Sequence, residues 1–154
     1  MIEDVTRTYL GRGPGRRLLN AYYDCVIPAV EQAGGEVVKF MGDGVLAVFE
    51  DSEDAIDYGQ SCNAVLRAAR RALNGIERYN ASHPDANSNM RVGTALLYDS
   101  VTPGSVGSGE RLGFTVIGKD VNLASRIATK YRDLDTPLLM SAPFVDRARS
   151  KPSR

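Results

Sequence analysis

Residues 35–49, GEVVKFMGDGVLAVF, restrict the fold more than any other part of the chain. Two short apolar runs, Glu36–Phe40 and Val45–Phe49, flank Met41-Gly42-Asp43-Gly44. Runs of this length broken by a glycine-bearing turn predict a β-hairpin. Asp43 stands at its tip with a glycine on either side, so a bulky ligand could approach the backbone there. Lys39 lies on the incoming strand. A cation and an anion beside such a turn suit a metal–phosphate ligand. Each also has a plainer use: an Asp between glycines can bond its own turn, and a lysine on an alternating strand can simply face water.

The rest of the chain reads as alternating helices and strands. Leu18, Leu19, Tyr22, Tyr23, Val26, Ile27 and Val30 recur at helical spacing and predict a helix over 17–33. Pro28 is a local conflict within it, and Gly34-Gly35 is its stop. Ile56, Cys62, Val65, Leu66, Ala69, Leu73 and Ile76 form the stripe of a second helix over about 53–80. Strands are predicted at 91–98, near 105–106, and at 114–117 and 137–141, with helices at 120–130 and 143–149. A first strand near residues 1–6, short or incomplete, completes the order βαββαβ. That order is the ferredoxin-like α+β plan, an antiparallel sheet with helices on one face. A length of 154 residues with 43% hydrophobic content suits one domain over 1–154.

Composition removes several classes of function. Lys+Arg and Asp+Glu both number 19, so net charge predicts no attraction to nucleic acid or to a membrane surface. No apolar run approaches ~18 residues, so no membrane span is expected. There is no signal-peptide pattern, and Cys25 and Cys62 lack any metal or redox spacing, which points to a reducing, cytoplasmic setting. His83, the one histidine, precedes Pro84 in a polar loop and is a poor candidate for a ligand or catalyst.

A second constellation lies in Gly118–Arg126, GKDVNLASR. Asn122 and Arg126 share one face of the predicted helix, while Val121, Leu123, Ala124 and Ile127 can meet the core. Thr115 sits in the predicted strand FTVIG. Taken singly, a Thr in a strand and an Asn and Arg on a polar helix face are ordinary. Taken in order, KFMGDGVLAVF, RVGTALL and GSVGSGERLGFTVIGKDVNLASRI resemble the class III nucleotidyl cyclase catalytic domain, of the bacterial adenylate cyclase type, over residues 15–147. A palm-like diguanylate cyclase would carry a GG(D/E)EF turn where this chain has MGDG, and would lack the VNLASR helix.

The resemblance implies an enzyme that converts ATP to cyclic AMP and pyrophosphate by attack of the ribose 3′-oxygen on the α-phosphorus. It implies Mg²⁺ or Mn²⁺, two ions per site, held by two carboxylates, with Asp43 as the one on the hairpin. Lys39 and Thr115 match the residues that read the purine, and this pair favours adenine over guanine. Asn122 matches a residue that positions the ribose. Arg126 matches the arginine that stabilises charge growing on the α-phosphate. The family's sites form between two protomers, so a homodimer, or a heterodimer with another cyclase protomer, is implied, with ATP as the ligand.

The chain departs from the family pattern in three places. Sliding the family's first-strand motif along MIEDVT puts Met1 where the other metal carboxylate belongs, with Glu3 and Asp4 nearby but out of register. No lysine matches the one that contacts the terminal phosphates; Lys151 lies in a polar tail. Asp99 stands where a glycine is usual. The resemblance therefore leaves two alternatives: a cyclase domain shortened at both ends, or a degenerate protomer that binds nucleotide or dimerises without its first metal Asp.

Overall fold

In the computed structural model the backbone is described for residues 3–10, 15–41, 44–50, 60–85, 88–99, 104–106, 113–115, 126–127 and 130–150. The elements are β1 (Glu3–Leu10), α1 (Arg16–Gln32), β2 (Glu36–Met41), β3 (Gly44–Glu50), α2 (Gln60–Ser82), β4 (Val92–Asp99), β5 (Gly104–Val106), β6 (Gly113–Thr115), α3 (Tyr131–Leu134), β7 (Leu138–Met140) and α4 (Ala142–Arg149).

The main sheet has the strand order β2-β3-β1-β4-β7. β1 is central and antiparallel to both β3 and β4. The first four strands thus form the sheet expected of βαββαβ. Two features differ from the sequence reading. β1 runs eight residues rather than ending at residue 6; its Val, Thr and Tyr residues suit an extended backbone, and a neighbour on each side can satisfy its hydrogen bonds. β7 adds to β4 in parallel, so the sheet is mixed rather than wholly antiparallel. The chain after β4 returns through α3 before β7 starts, and a crossover of that kind permits a parallel pair.

The core lies between the sheet and the two long helices. From β3, Val45, Ala47 and Phe49 face it; from β4, Val92 and Leu96 do. α1 contributes Tyr22, Val26, Ala29 and Val30, and α2 contributes Cys62, Val65, Ala68, Ala69, Ala72 and Ile76. Small residues along α2 let the helices approach closely. A Cβ built on Gly75 would lie 3.3 Å from Cys25 Sγ. Burial at this crossing, and then the neighbouring Asp24 carboxylate, push the Cys25 thiol above its usual pKa. Alternating residues Leu46, Val48, Ala95 and Leu97 are buried as well but lie outside that helix-side cluster, so they belong to the other face of the sheet. Among the described residues no helix is long and apolar enough to cross a membrane.

Helix α1 ends where its glycines predict. The Gly35 N–H donates to Val30 O and the Gly34 N–H to Glu31 O, both at 3.0 Å, the paired bonds of a Schellman stop. Gly34 has φ +86, the left-handed position such a stop needs. Gly35 serves differently: a Cβ there would meet the Phe49 ring at 2.5 Å. The turn from α1 into β2 is therefore pressed onto the core-facing side chain of the hairpin's second strand. Gly35→Ala is expected to lower unfolding free energy by about 1–3 kcal/mol through overpacking. Urea unfolding measures it, and an unchanged midpoint would refute the close approach.

The far edge is held by α4. The Ser141 Oγ accepts from Phe144 N–H at 3.3 Å and caps the helix. Phe144 itself is fully buried in the core. The Ser141 N–H donates to Leu96 O at 2.9 Å and the Thr94 N–H to Pro137 O at 2.7 Å, tying both ends of β7 to β4. Arg147 stacks its guanidinium 5.2 Å from the Tyr98 ring centroid.

Candidate functional site

The hairpin forms as its sequence predicts. Met41 pairs with Gly44, so residues 42–43 make the connection between β2 and β3. Asp43 itself lies outside the described residues.

Within β2 the pairing breaks its alternation. Val37 pairs with Ala47, whereas Lys39 pairs with Leu46 and Phe40 with Val45, leaving Val38 as the extra residue of a β-bulge. The consequence for Lys39 is large. Val37 packs against the helix-side core. Strict alternation from Val37 would return Lys39 to that core face, where an ammonium without a partner is costly. The bulge instead puts Lys39 opposite Leu46, on the sheet face away from the helices, where it is exposed. Phe40 then falls on the helix side, edge-on to Tyr23 of α1 at a centroid distance of 5.2 Å and 81°. Phe40 remains 55% exposed at the sheet's edge. The sequence reading missed both Val38 and the Tyr23–Phe40 contact. Nothing in the run EVVKF distinguishes a bulged residue from a paired one.

The register of β1 answers a question the sequence leaves open. Tyr9 pairs with Gly44, so the C-terminal end of β1 adjoins the hairpin turn. Glu3 pairs with Glu50 and with Asp99, at the opposite end of the sheet. The strand rise sets Glu3 roughly 20 Å from Gly44. Glu3 and Asp4 thus lie at the end of the sheet away from Gly44, and Tyr9 is the β1 residue paired beside the hairpin turn. Through residues 8–14 and 41–45 the chain carries a single carboxylate, Asp43.

The other candidate residues stand on separate elements. Thr115 is the last residue of β6 and pairs with Gly104 of β5 in a two-stranded sheet distinct from the main one. Arg126 is exposed, in a helical stretch at residues 126–127, and makes interactions there. Asn122, like most of the predicted 120–130 helix, lies outside the described residues. Lys39, Thr115 and Arg126 thus belong to a sheet edge, a ribbon and a helical stretch that one protomer does not join into a single sheet.

A pair of hard divalent cations needs many oxygen ligands, chiefly carboxylates. Among the described residues no group of three or more His, Cys, Asp or Glu side chains could hold a metal. Residues 8–14 and 41–45, around the hairpin and the end of β1, hold one carboxylate, Asp43, and among the described residues no set of side chains assembles a two-ion centre.

No family model matches the chain. It is 31% identical over 134 residues to an adenylate cyclase of Anabaena cylindrica, an alignment covering 84% of this chain and 25% of that protein. It is 30% identical over 155 residues to adenylate cyclase 1 of Rhizobium meliloti (strain 1021), covering 96% and 22%. The chain therefore spans about a quarter of the length of these relatives. Its fold superposes on a bacterial light-regulated adenylyl cyclase with a TM-score of 0.81 at 21% identity, over 98% of this chain and 46% of that one. A guanylyl cyclase, Cya2, superposes with a TM-score of 0.69 at 20% identity, over 97% and 79%.

Proposed function

We propose that this chain, which belongs to the class III nucleotidyl cyclase family, is an adenylate cyclase catalytic domain whose site is completed by a second protomer. The observation that carries the reading is the bulge that turns Lys39 out beside the hairpin of Asp43. A lysine there can donate to an adenine ring, and the Thr115 hydroxyl can supply the second purine contact. Asn122 positions the ribose. The 3′-oxygen attacks the α-phosphorus, the bond to the β-phosphate oxygen breaks, and pyrophosphate leaves. Arg126 acts where negative charge grows on the α-phosphate oxygens, an electrostatic role worth most in a site closed to water.

Class III cyclases generally depend on divalent metal, which lowers the barrier by spreading phosphate charge. With one carboxylate at its own hairpin, this protomer depends on another for the remaining ligands. In a mixed pair it would contribute the half that reads the nucleotide. The displacement of Glu3 and Asp4 from the turn also favours a second reading, a protomer that binds nucleotide and pairs without turning over.

A mixing assay separates the two. The isolated chain with Mg²⁺–ATP or Mn²⁺–ATP is expected to form little cyclic AMP. Adding a related cyclase protomer with intact metal carboxylates, but with its counterpart of Arg126 replaced by alanine, should restore activity that neither has alone. Vigorous turnover by the isolated chain would overturn the dependence on a partner. Silence from every such mixture would leave the non-catalytic reading standing instead.

A further inference from the structure

Away from the nucleotide-reading elements, α2 presents a row of arginines. Arg67, Arg70, Arg71 and Arg78 are exposed and, with Asn74, Glu77 and Ala81, line an open trough of about 720 Å³. Helical spacing puts Arg67, Arg71, Asn74 and Arg78 along one line, and Arg67 and Arg78 lie roughly 17 Å apart along the axis. The opposite face of the helix is buried in the core, so this row faces outward. Among the described residues none of the four arginines takes part in an ion pair.

We propose that this row is a docking surface for an acidic helical segment of a protein partner. The row is one helix wide. On one side, Arg71, Gly75 and Arg78 share an adjoining groove with Asp24 of α1; on the other stands Glu77. A broad anionic plane such as lipid headgroups would press against both acids, whereas a single helix laid along Arg67, Arg71 and Arg78 meets Glu77 alone. The short side chains of Asn74 and Ala81 line the trough together with the arginines. Guanidinium forks take carboxylates in two parallel hydrogen bonds, a match a lysine row would lack. The lining holds no aromatic residue on which a base could stack and no large apolar side chain to enter a bilayer. Carboxylates at i, i+4, i+7 and i+11 of a partner helix follow the same line. The proposal is independent of the nucleotide reading.

The test uses the whole 154-residue chain and a fluorescent helical peptide with glutamates at i, i+4, i+7 and i+11. Anisotropy should report binding that weakens as salt rises, and a peptide with glutamines at those positions should not bind. Arg67→Ala with Arg71→Ala should weaken binding about tenfold. Arg67→Glu with Arg71→Glu should abolish it, and a lysine version of the peptide should recover binding to that variant. Far-UV circular dichroism checks that both variants keep their helices; the milder alanine pair carries the test if the reversal does not fold. Equal binding of the glutamine peptide, no recovery by the lysine peptide, or capture by phosphatidylserine vesicles without binding of the glutamate peptide would each overturn the proposal.

Discussion

Replacing Arg126 with alanine is expected to lower cyclic AMP formation in a complemented pair by about 10²–10³-fold, the usual loss when a group aimed at transition-state charge is removed. The pair is this chain together with a protomer that supplies metal carboxylates and lacks its own arginine at that place. In such a pair the site completed by this chain's Arg126 is the one that can turn over. If Arg126 meets charge that develops only during attack on the α-phosphorus, kcat should fall while KM for ATP stays nearly constant. A purely structural arginine predicts something else: a lower melting temperature and a smaller share of mixed dimers at the same concentration. Initial rates at saturating ATP, with melting curves of the same samples, distinguish the two. A rate within threefold of the unsubstituted pair would remove Arg126 from the chemistry.

The second large effect concerns Lys39. Lys39→Glu is expected to lower kcat/KM for ATP by roughly 10–100-fold, since a charge-assisted hydrogen bond to the adenine is lost and a like-charged group faces the nucleotide. An exposed lysine with no role would show nothing of the kind, because surface substitutions generally shift stability by no more than about 0.5 kcal/mol. Deleting Val38 is the companion experiment. It removes the extra residue of the bulge yet leaves Lys39 opposite Leu46 and Phe40 opposite Val45. The preference for ATP should therefore survive the deletion. If the deletion behaved like Lys39→Glu, the pairing assigned to β2 would be wrong.

Much of the fold was legible because its signals are local. The stripe from Leu18 to Val30 needs only helical spacing, and α1 runs Arg16–Gln32 against an expected 17–33. Gly34-Gly35 needs only the chemistry of a helix stop, and the hydrogen bonds to Val30 and Glu31 supply it. The hairpin needs two apolar runs around a glycine turn. The short strands at 104–106, 113–115 and 138–140 were marked by turn residues on either side. The parallel sense of β7 was not legible, because direction across a sheet depends on how the intervening chain returns.

The candidate site was legible in a different way. Asp43, Lys39, Thr115, Asn122 and Arg126 came from ordered motifs, which name candidate residues but not their placement. The arginine row was hidden by composition: 19 basic and 19 acidic residues cancel over the chain. Folding α2 against the core gathers Arg67, Arg70, Arg71 and Arg78 on its outward face, with Glu77 the one acidic residue among the described residues lining the same trough.

By itself the sequence determined the order of the elements, the faces of α1 and α2, the hairpin around residues 42–43 and the family motifs. All of these follow from periodicity, turn chemistry or residue order within short windows. Only the tertiary structure decided that Lys39 faces away from the helices and that Glu3 and Asp4 lie a sheet's length from the hairpin turn. Both depend on strand register, and register is set by pairing between distant segments. One bulged residue, or a shift of a few residues along a neighbour, changes which side chains meet without altering the local pattern at all.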